Sequence, residues 1–307
     1  MAGALPNLLV IGAMKAGTSA LHYYLDLHPE VAMSNPKELD FFVDGRVVPG
    51  PGCDFDADDL AVEGSFEANW SKGIAWYERH FDPAVPVRGE SSPSYSAPWY
   101  PDVPSRIASV LPNARLVFLA RDPVERSISN YNHQRALGRE RRGIDEALAN
   151  LGGPYVARSR YSRVLEPFLE HFPRASLLVL TQEELRARRR ETVQEVYGFA
   201  GVHARFWSPK VERERYRGES KAARGKVGRL AARSPLRPLA RRLPDEAKWR
   251  LERALASRRQ PEAPRLSAAA RDRLAGYLGE DVERLSGLIG RSFPEWSLGG
   301  SREPRPA

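Results

Sequence analysis

Three short apolar runs alternate with helical patterns along the chain. They lie in residues 8–11 (LLVI), 115–121 (RLVFLAR) and 175–185 (ASLLVLTQEEL). Continuous apolar segments of this length are typical of strands that are buried on both faces. Such strands, separated by helices, predict a three-layer α/β fold in which helices cover both faces of a central parallel sheet.

Polar residues beside these runs mark the expected helix boundaries. Thr18 or Ser19 should cap the helix after the first strand, because their hydroxyls can accept a hydrogen bond from the first turn. Asp122 should cap the helix after the second strand, and Gly138 should end it. The boundaries place a strand, a turn and a helix start in immediate succession at two points of the chain.

The C-terminal third divides into a basic segment and a closing helical segment. Residues 208–264 are basic and interrupted by proline, and we interpret them as an insert or lid of short helices. Apolar side chains at helical spacing in residues 266–290 indicate closing helices over 266–296 that pack on the core. We therefore expect one domain over residues 1–300, followed by a disordered tail at 301–307.

Composition is typical of a globular protein of a reducing compartment. The chain has 307 residues, of which 42% are hydrophobic, enough to form a sizeable core. A single cysteine, Cys53, excludes an intramolecular disulfide framework and a thiolate metal cluster. The N-terminus lacks a basic flank, and no apolar stretch approaches the roughly 18 residues that span a bilayer. We expect a soluble, unprocessed, cytoplasmic protein.

Positive charge is concentrated in one segment. The net charge is +8, and residues 205–265 hold 19 Lys and Arg against 7 Asp and Glu. An arginine-rich segment suits contact with anionic surfaces such as nucleic acid, lipid or polyanionic glycans, and with a phosphorylated cofactor; it also occurs as a solvated helical face.

The stretch GAMKAGTS (12–19) has the spacing of a phosphate-binding loop but a displaced lysine. Nucleoside triphosphatases use G-x-x-x-x-G-K-[ST], with the lysine directly after the second glycine. Here Gly12 and Gly17 keep the spacing, Thr18 replaces that lysine, and Lys15 lies inside the loop. The backbone N–H groups and the helix N-terminus still favour a phosphate. A lysine in mid-loop indicates transfer of a group other than a magnesium-bound γ-phosphate.

Two motifs resemble those of sulfotransferases that use 3′-phosphoadenosine 5′-phosphosulfate (PAPS). GAMKAGTSAL is similar to their 5′-phosphosulfate loop, P-K-[TS]-G-T-[TS]-x-L, and LARDPVERSISNYNHQR to their 3′-phosphate motif, R-[DN]-P-x-x-R-x-x-S-x-[YF]. The resemblance is to the heparan-sulfate-type branch and its bacterial relatives. It implies a P-loop-like fold, PAPS as co-substrate and no metal. It also implies that the 5′-phosphosulfate is bound by Lys15, Ala16, Gly17, Thr18 and Ser19.

Recognition of the 3′-phosphate, which distinguishes PAPS from ATP, requires a second anion site. Arg121, at a strand end, supplies a fork of donors, and Ser129 adds a hydroxyl from the following helix. The resemblance further implies that a late basic loop covers the nucleotide. Its counterpart here is SRRQPEAP (257–264), with Arg258 and Arg259 as the candidate phosphate ligands.

Sulfuryl transfer requires a base for the acceptor proton and positive charge at the departing oxygen, where Lys15 is expected to act. SNPKELDFF (34–42) resembles the K-E-x-x-[FY]-F segment of the family, which implies Glu38 as the base. Because Phe41 and Phe42 follow it closely, we expect this carboxyl to be desolvated. His133 matches a histidine of the N-sulfotransferase members, which implies that it assists proton transfer or contacts the acceptor.

Other functions stay open at this point. A P-loop kinase or other phosphotransferase would need a lysine directly after Gly17, which is absent, and a magnesium-binding carboxylate at a strand end. A nucleic-acid- or membrane-surface-binding protein would use the basic insert but would leave the paired anion motifs unexplained. The sulfotransferase hypothesis implies a hydroxyl or amine acceptor on a glycan, lipid or other small molecule, and no nucleic acid partner.

Overall fold

Five short parallel strands form the central sheet of the protein, in a computed structural model that describes residues 4–63, 67–212 and 264–298. The strands are β1 (Leu8–Gly12), β2 (Val31–Met33), β3 (Val87–Ser91), β4 (Arg115–Ala120) and β5 (Leu177–Thr181). Their order in the sheet is β2-β3-β1-β4-β5, and every neighbouring pair is parallel. The predicted α/β class is confirmed.

Burial explains which strands the sequence pattern found. All five residues of β1 are buried, and β4 is buried after its exposed first residue, Arg115. The apolar runs predicted these two strands and β5. The pattern missed β2, which has three residues, and β3, whose sequence VRGES is mostly polar although Glu90 and Ser91 are completely buried.

Helices surround the sheet. Within the described residues they are, in chain order, α1 (Thr18–Leu25), α2 (Ala57–Glu63), α3 (Ile74–Glu78), α4 (Val103–Val110), α5 (Pro123–Ala136), α6 (Ile144–Ala147), α7 (Pro154–Ala157), α8 (Tyr161–His171), α9 (Gln182–Ala187), α10 (Arg189–Ala200) and α11 (Ala268–Ile289). Helix α1 contacts α10, and α8 contacts α4 and α11. None of these helices is long and apolar enough to cross a bilayer.

Two helix starts determine the geometry near the sheet edge. The Asp122 carboxylate caps α5 as predicted, since its Oδ1 accepts from Val124 N at 2.9 Å and from Glu125 N at 3.0 Å. The predicted hydroxyl cap of α1 is wrong. Gly17, at φ 103°, occupies the N-cap, and Thr18 is already the first helical residue. A left-handed glycine therefore ends the loop and starts α1 through the backbone alone.

The closing segment contains one helix, which differs from the predicted pair. Gly290, in the left-handed conformation at φ 68°, ends α11, and Pro294 disfavours a further helix in the short stretch that follows. Phe293 and Trp296 nevertheless stack at 4.1 Å and are buried, so residues 291–298 pack on the core. Most of the predicted insert, and the tail at 301–307, lie outside the described residues.

The strand order places β1 between β3 and β4, where the order of connections reverses. In open parallel sheets, ligands bind outside the carboxyl ends of the strands at such a point. The loop after β1 and the residues after β3 and β4 therefore meet at one edge of the sheet.

Gly12 ends β1 in a position without space for a side chain. A Cβ atom there would lie 2.2 Å from Ser96 Oγ and 2.7 Å from Phe118 Cε2. We expect Gly12→Ala to lower the free energy of unfolding by about 1–3 kcal/mol, measured by urea denaturation. Gly276→Ala is the matched control, because nothing lies within 4 Å of its Cβ in α11. It should be neutral or stabilise by up to about 1 kcal/mol. Equal stability of both variants would contradict the crowding argument.

Candidate active site

The loop between β1 and α1 turns within five residues. Two positive φ angles, 72° at Lys15 and 103° at Gly17, redirect the chain into the helix. A positive φ is uncommon for a lysine and marks a conformation that the surrounding structure imposes. Ala13 N donates to Leu119 O at 2.8 Å, which fixes the loop to β4. The five predicted phosphosulfate ligands, Lys15 to Ser19, are thus continuous with the N-terminus of α1.

Arg121 lies directly beneath this loop. Its Nη1 donates to the carbonyl of Lys15 at 3.4 Å, and its own carbonyl accepts from the Tyr161 hydroxyl at 2.7 Å. The side chain is only 17% exposed, and its ion pair with Glu125 is long, at 3.8 Å. Burial lowers the pKa of Arg121, so the guanidinium is a desolvated cation with weak compensation. Such a group favours an anion.

Ser129 and His133 lie on α5, four and eight residues after Glu125, and both are partly exposed. Residues four apart on a helix share a face, so these two side chains continue the face that begins beside Arg121. The structure brings Lys15 and Arg121 together, and Ser129 and His133 lie further along the helix that follows Arg121. Arg258 and Arg259 fall outside the described residues.

Glu38 is less buried than expected. Its side chain is 47% exposed and forms an ion pair with Lys37. The expected desolvation by Phe41 and Phe42 is wrong, because both rings turn into the core, where Phe41 stacks on Tyr77 at 4.2 Å. Glu38 therefore faces solvent at the sheet edge while the residues that follow it anchor the segment.

A buried carboxylate, which the sequence did not reveal, fixes the segment that follows Glu38. Glu90, at the end of β3, accepts from Ser92 Oγ at 2.5 Å and from the Tyr95 hydroxyl at 2.8 Å, and also from the Tyr77 hydroxyl. Ser92 Oγ in turn accepts from the backbone N–H groups of residues 39 and 40 at 3.1 Å, and the Tyr95 hydroxyl from that of residue 41 at 3.0 Å. Glu90 thus positions the backbone just after Glu38.

Asp40 is a second buried carboxylate in the same place. It adopts φ 47°, accepts a hydrogen bond from the Ser94 hydroxyl and is 7% exposed. Burial raises the pKa of Asp40 to about 6 and that of Glu90 to about 7. Carboxyl groups with perturbed pKa values are common at functional sites. Residues 89–95 read GESSPSY, and this run of Glu, Ser and Tyr after a Gly was the sequence signal for the cluster around Glu90.

His22 was also missed. It lies four residues after Thr18 on α1, and its Nδ1 is 3.0 Å from the Ser91 hydroxyl at the end of β3. Burial, followed by the charge of Lys37, lowers the pKa of His22 to about 4. The imidazole is therefore neutral at pH 7 and links the phosphate-loop helix to the strand beside Glu90.

Gln182, directly after β5, also contacts the phosphate-binding loop. It begins α9 and is 8% exposed, and its Nε2 would lie 3.2 Å from a Cβ at Gly17. The first turn of α9 thereby touches the phosphate loop. No apolar pattern or motif marks this residue, because its position depends on the pairing of β4 with β5.

Comparison with known proteins assigns the family. The family model of the sulfotransferase domain matches residues 5–218, which are most of the chain. The chain therefore belongs to the sulfotransferase family. The membrane-associated sulfotransferase kil1 of Dictyostelium discoideum is 36% identical over 131 residues, which are 42% of this chain and 23% of that protein. The human bifunctional heparan sulfate N-deacetylase/N-sulfotransferase 2 is 28% identical over 217 residues, 64% of this chain and 22% of that protein. The matches thus span less than a quarter of either relative.

A solved sulfotransferase from Alicyclobacillus acidocaldarius shares the fold. It has a TM-score of 0.65 at 23% identity, over 95% of this chain and 99% of that one. In the part of the chain that the structure describes, no three His, Cys, Asp or Glu side chains gather as metal ligands would.

The raised pKa of Glu90 predicts a pH dependence of stability. Because the folded protein holds this proton more tightly than the unfolded chain, Glu90 stabilises the fold below about pH 4.5 and loses that contribution as the pH rises through about 7. Glu90→Gln removes the titration. The unfolding free energy of the wild type should therefore fall relative to that of the variant between these pH values, measured by urea denaturation at stepped pH.

His22 titrates with the opposite sign, since its lowered pKa makes stability rise between about pH 4 and 6.5. It is present in both proteins, so its contribution cancels from the difference between wild type and variant. A constant difference across the range would show that Glu90 has the same pKa in the folded and unfolded protein and would overturn the prediction.

Proposed function

We propose that this protein transfers a sulfuryl group from PAPS to a hydroxyl or amine acceptor. The observation that carries the proposal is the contact between Arg121 and the backbone of Lys15, which joins the two anion-binding motifs at one sheet edge. A nucleotide with phosphates at both its 3′ and 5′ positions suits two adjacent anion sites. Family membership supports sulfuryl transfer as the reaction.

In this proposal the phosphate loop holds the 5′-phosphosulfate. Backbone N–H groups of residues 17–19 at the N-terminus of α1 bind the phosphate, while Ala16 N donates to Ala13 O at 3.2 Å and so shapes the loop. Gln182 supports the loop from α9. Arg121 and Ser129 bind the 3′-phosphate. Arg258 and Arg259 are proposed to cover the nucleotide, and this assignment stays a prediction from the motif.

The reacting groups lie at the β1–β3 side of the edge. PAPS supplies an activated sulfuryl group whose transfer leaves a phosphate oxygen with growing negative charge. Lys15 stabilises that charge, and Glu38 takes the proton from the acceptor. Glu38 is accessible to an acceptor because half of its surface is exposed, and Glu90 positions its segment. His133 assists the proton transfer or contacts the acceptor.

The acceptor is proposed to be a glycan, lipid or other small molecule. Relatives named as heparan sulfate N-sulfotransferases favour a glycan hydroxyl or amine among these. The transfer as proposed needs no metal ion, because lysine and backbone donors supply the positive charge.

Arg121 should decide the nucleotide preference. The wild type should bind 3′-phosphoadenosine 5′-phosphate far more tightly than AMP in titration calorimetry. Arg121→Ala should erase most of that difference, because a charge-assisted contact contributes about 1.5–3 kcal/mol, or roughly ten- to a hundredfold. Arg115→Ala is the matched control, since this arginine lies at the opposite end of the same strand, where it donates to Ala200 O at 2.7 Å. Equal affinity of the wild type for both nucleotides would exclude the proposed cofactor.

Lys15 and Glu38 should fail in different ways. Lys15→Ala should reduce turnover by at least about 10²-fold with every acceptor, because it removes a preorganised positive charge. Glu38→Gln should leave nucleotide affinity nearly unchanged and reduce the rate by about 10²–10⁴-fold with a poorly acidic alcohol. The loss should be much smaller with an acidic phenol, whose proton leaves without help.

The measurement is kcat/KM for both variants across acceptors of graded pKa. Suppose that Glu38→Gln loses the same factor with every acceptor, or loses nucleotide affinity instead. Glu38 is then not the base, and His133 becomes the leading candidate.

A further inference from the structure

Glu125 lies between two arginines at the proposed 3′-phosphate site. Its Oε2 is 3.8 Å from Arg121 Nη2, and its Oε1 is 2.8 Å from Arg271 Nη2. Arg271 lies in the first turn of α11, beyond residues 5–218 that the sulfotransferase domain matches. The contact with Arg271 is the shorter of the two, so this carboxylate is drawn away from Arg121 and towards the closing helix.

A carboxylate beside Arg121 opposes the binding of a phosphate. It repels the incoming anion, and it competes for the same guanidinium donors. Glu183 is a further carboxylate whose charge acts on Arg121, and it is held by hydrogen bonds from Asp122 N at 3.2 Å and from Trp296 Nε1 at 3.3 Å. The positive charge of Arg186 also acts on Arg121. Glu125 is therefore the acidic group whose placement depends on an arginine from outside the matched domain.

The position of Arg271 is fixed by the packing of α11. Asp281 accepts from Ser162 N at 3.0 Å and from Ser162 Oγ at 2.5 Å, which joins α11 to the start of α8. Ser267 N donates to Asp145 Oδ1 at 3.0 Å just before α11 begins. Leu274 and Leu278 are buried in one cluster with Val124 of α5. Arg271 thus approaches Glu125 from a helix that is anchored along its length.

We propose that Arg271 is a positioning residue for nucleotide binding: it holds the Glu125 carboxylate and so leaves the Arg121 guanidinium available to the 3′-phosphate. The inference rests on the proposed function in one respect, which is that the anion bound by Arg121 is the 3′-phosphate of the nucleotide. It makes nucleotide affinity depend on α11. It also predicts that removing the Glu125 charge raises this affinity, whereas removing Arg271 lowers it.

The experiment measures the dissociation constants of 3′-phosphoadenosine 5′-phosphate and of AMP for the full chain by calorimetry at low salt. Arg271→Ala should weaken binding of the 3′-phosphorylated nucleotide by about two- to fivefold, the range of an exposed ion pair. Glu125→Gln should tighten it by a similar factor. The double variant should bind like Glu125→Gln, because Arg271 has nothing left to hold. AMP should bind all four proteins alike.

Two further variants separate positioning from structural damage. Arg271→Lys keeps the charge and should recover most of the affinity lost in Arg271→Ala. Arg284→Ala removes a comparable ion pair of the same helix, 3.0 Å from Glu166, and should leave both dissociation constants unchanged. A loss of nucleotide affinity in Arg284→Ala equal to that in Arg271→Ala would overturn the inference in favour of general destabilisation of α11.

The remaining outcomes distinguish this inference from the proposed function. If the wild type prefers the 3′-phosphorylated nucleotide but Glu125→Gln weakens its binding, or Arg271→Ala still weakens it in the Glu125→Gln background, the positioning role is overturned. If the wild type shows no preference and Arg121→Ala has no effect, the proposed cofactor fails, and this inference fails with it.

Discussion

The hydrogen bond from the Arg121 guanidinium to the Lys15 carbonyl depends on the pairing of β1 with β4, and most of the site depends on it in turn. The two strands run parallel, so the loop after one and the arginine after the other leave the sheet at the same edge. Tyr161 then attaches α8 to the Arg121 carbonyl. Asp122, the next residue, caps α5 through one carboxylate oxygen and accepts from Ser297 through the other. One junction thus fixes the loop, two helices and the C-terminal segment.

The strands could be predicted where burial on both faces requires a continuous run of apolar residues. This held for β1 and β4, whose interior positions are filled by Leu, Val, Ile and Phe. It failed for β3, because Glu90 and Ser91 are buried as polar groups that hydrogen bonds compensate. A pattern of hydrophobic and polar positions indicates which side chains move favourably from water into the protein interior. It does not show whether a polar side chain finds a hydrogen-bond partner far along the chain.

The site shows the same division. Lys15 lies in a local loop and Arg121 at a strand end, so both could be placed from short sequence patterns and from the resemblance of those patterns to family motifs. Glu38 was assigned from the resemblance of its segment to a family motif, but its exposure could not be predicted, since Phe41 and Phe42 turn into the core while Glu38 faces solvent. Gln182 reaches the loop only because β5 pairs beyond β4. The environments of Glu38 and Gln182 depend on the order of strands in the sheet, which cannot be predicted from a short stretch of sequence.

The attachment of residues 291–298 to Asp122 has a consequence for how the protein is made. The N-cap of α5 gains two hydrogen bonds from Ser297, and the apolar side of α5 at Val124 is buried against Leu274 and Leu278. When only the segment that matches the sulfotransferase domain has been synthesised, Leu274 and Leu278 are still missing, so α5 exposes an apolar surface at Val124. Contacts between such distant parts of a chain form late and slowly. The sheet edge at Asp122 and the start of α5 is therefore completed only once α11 and residues 291–298 have been synthesised.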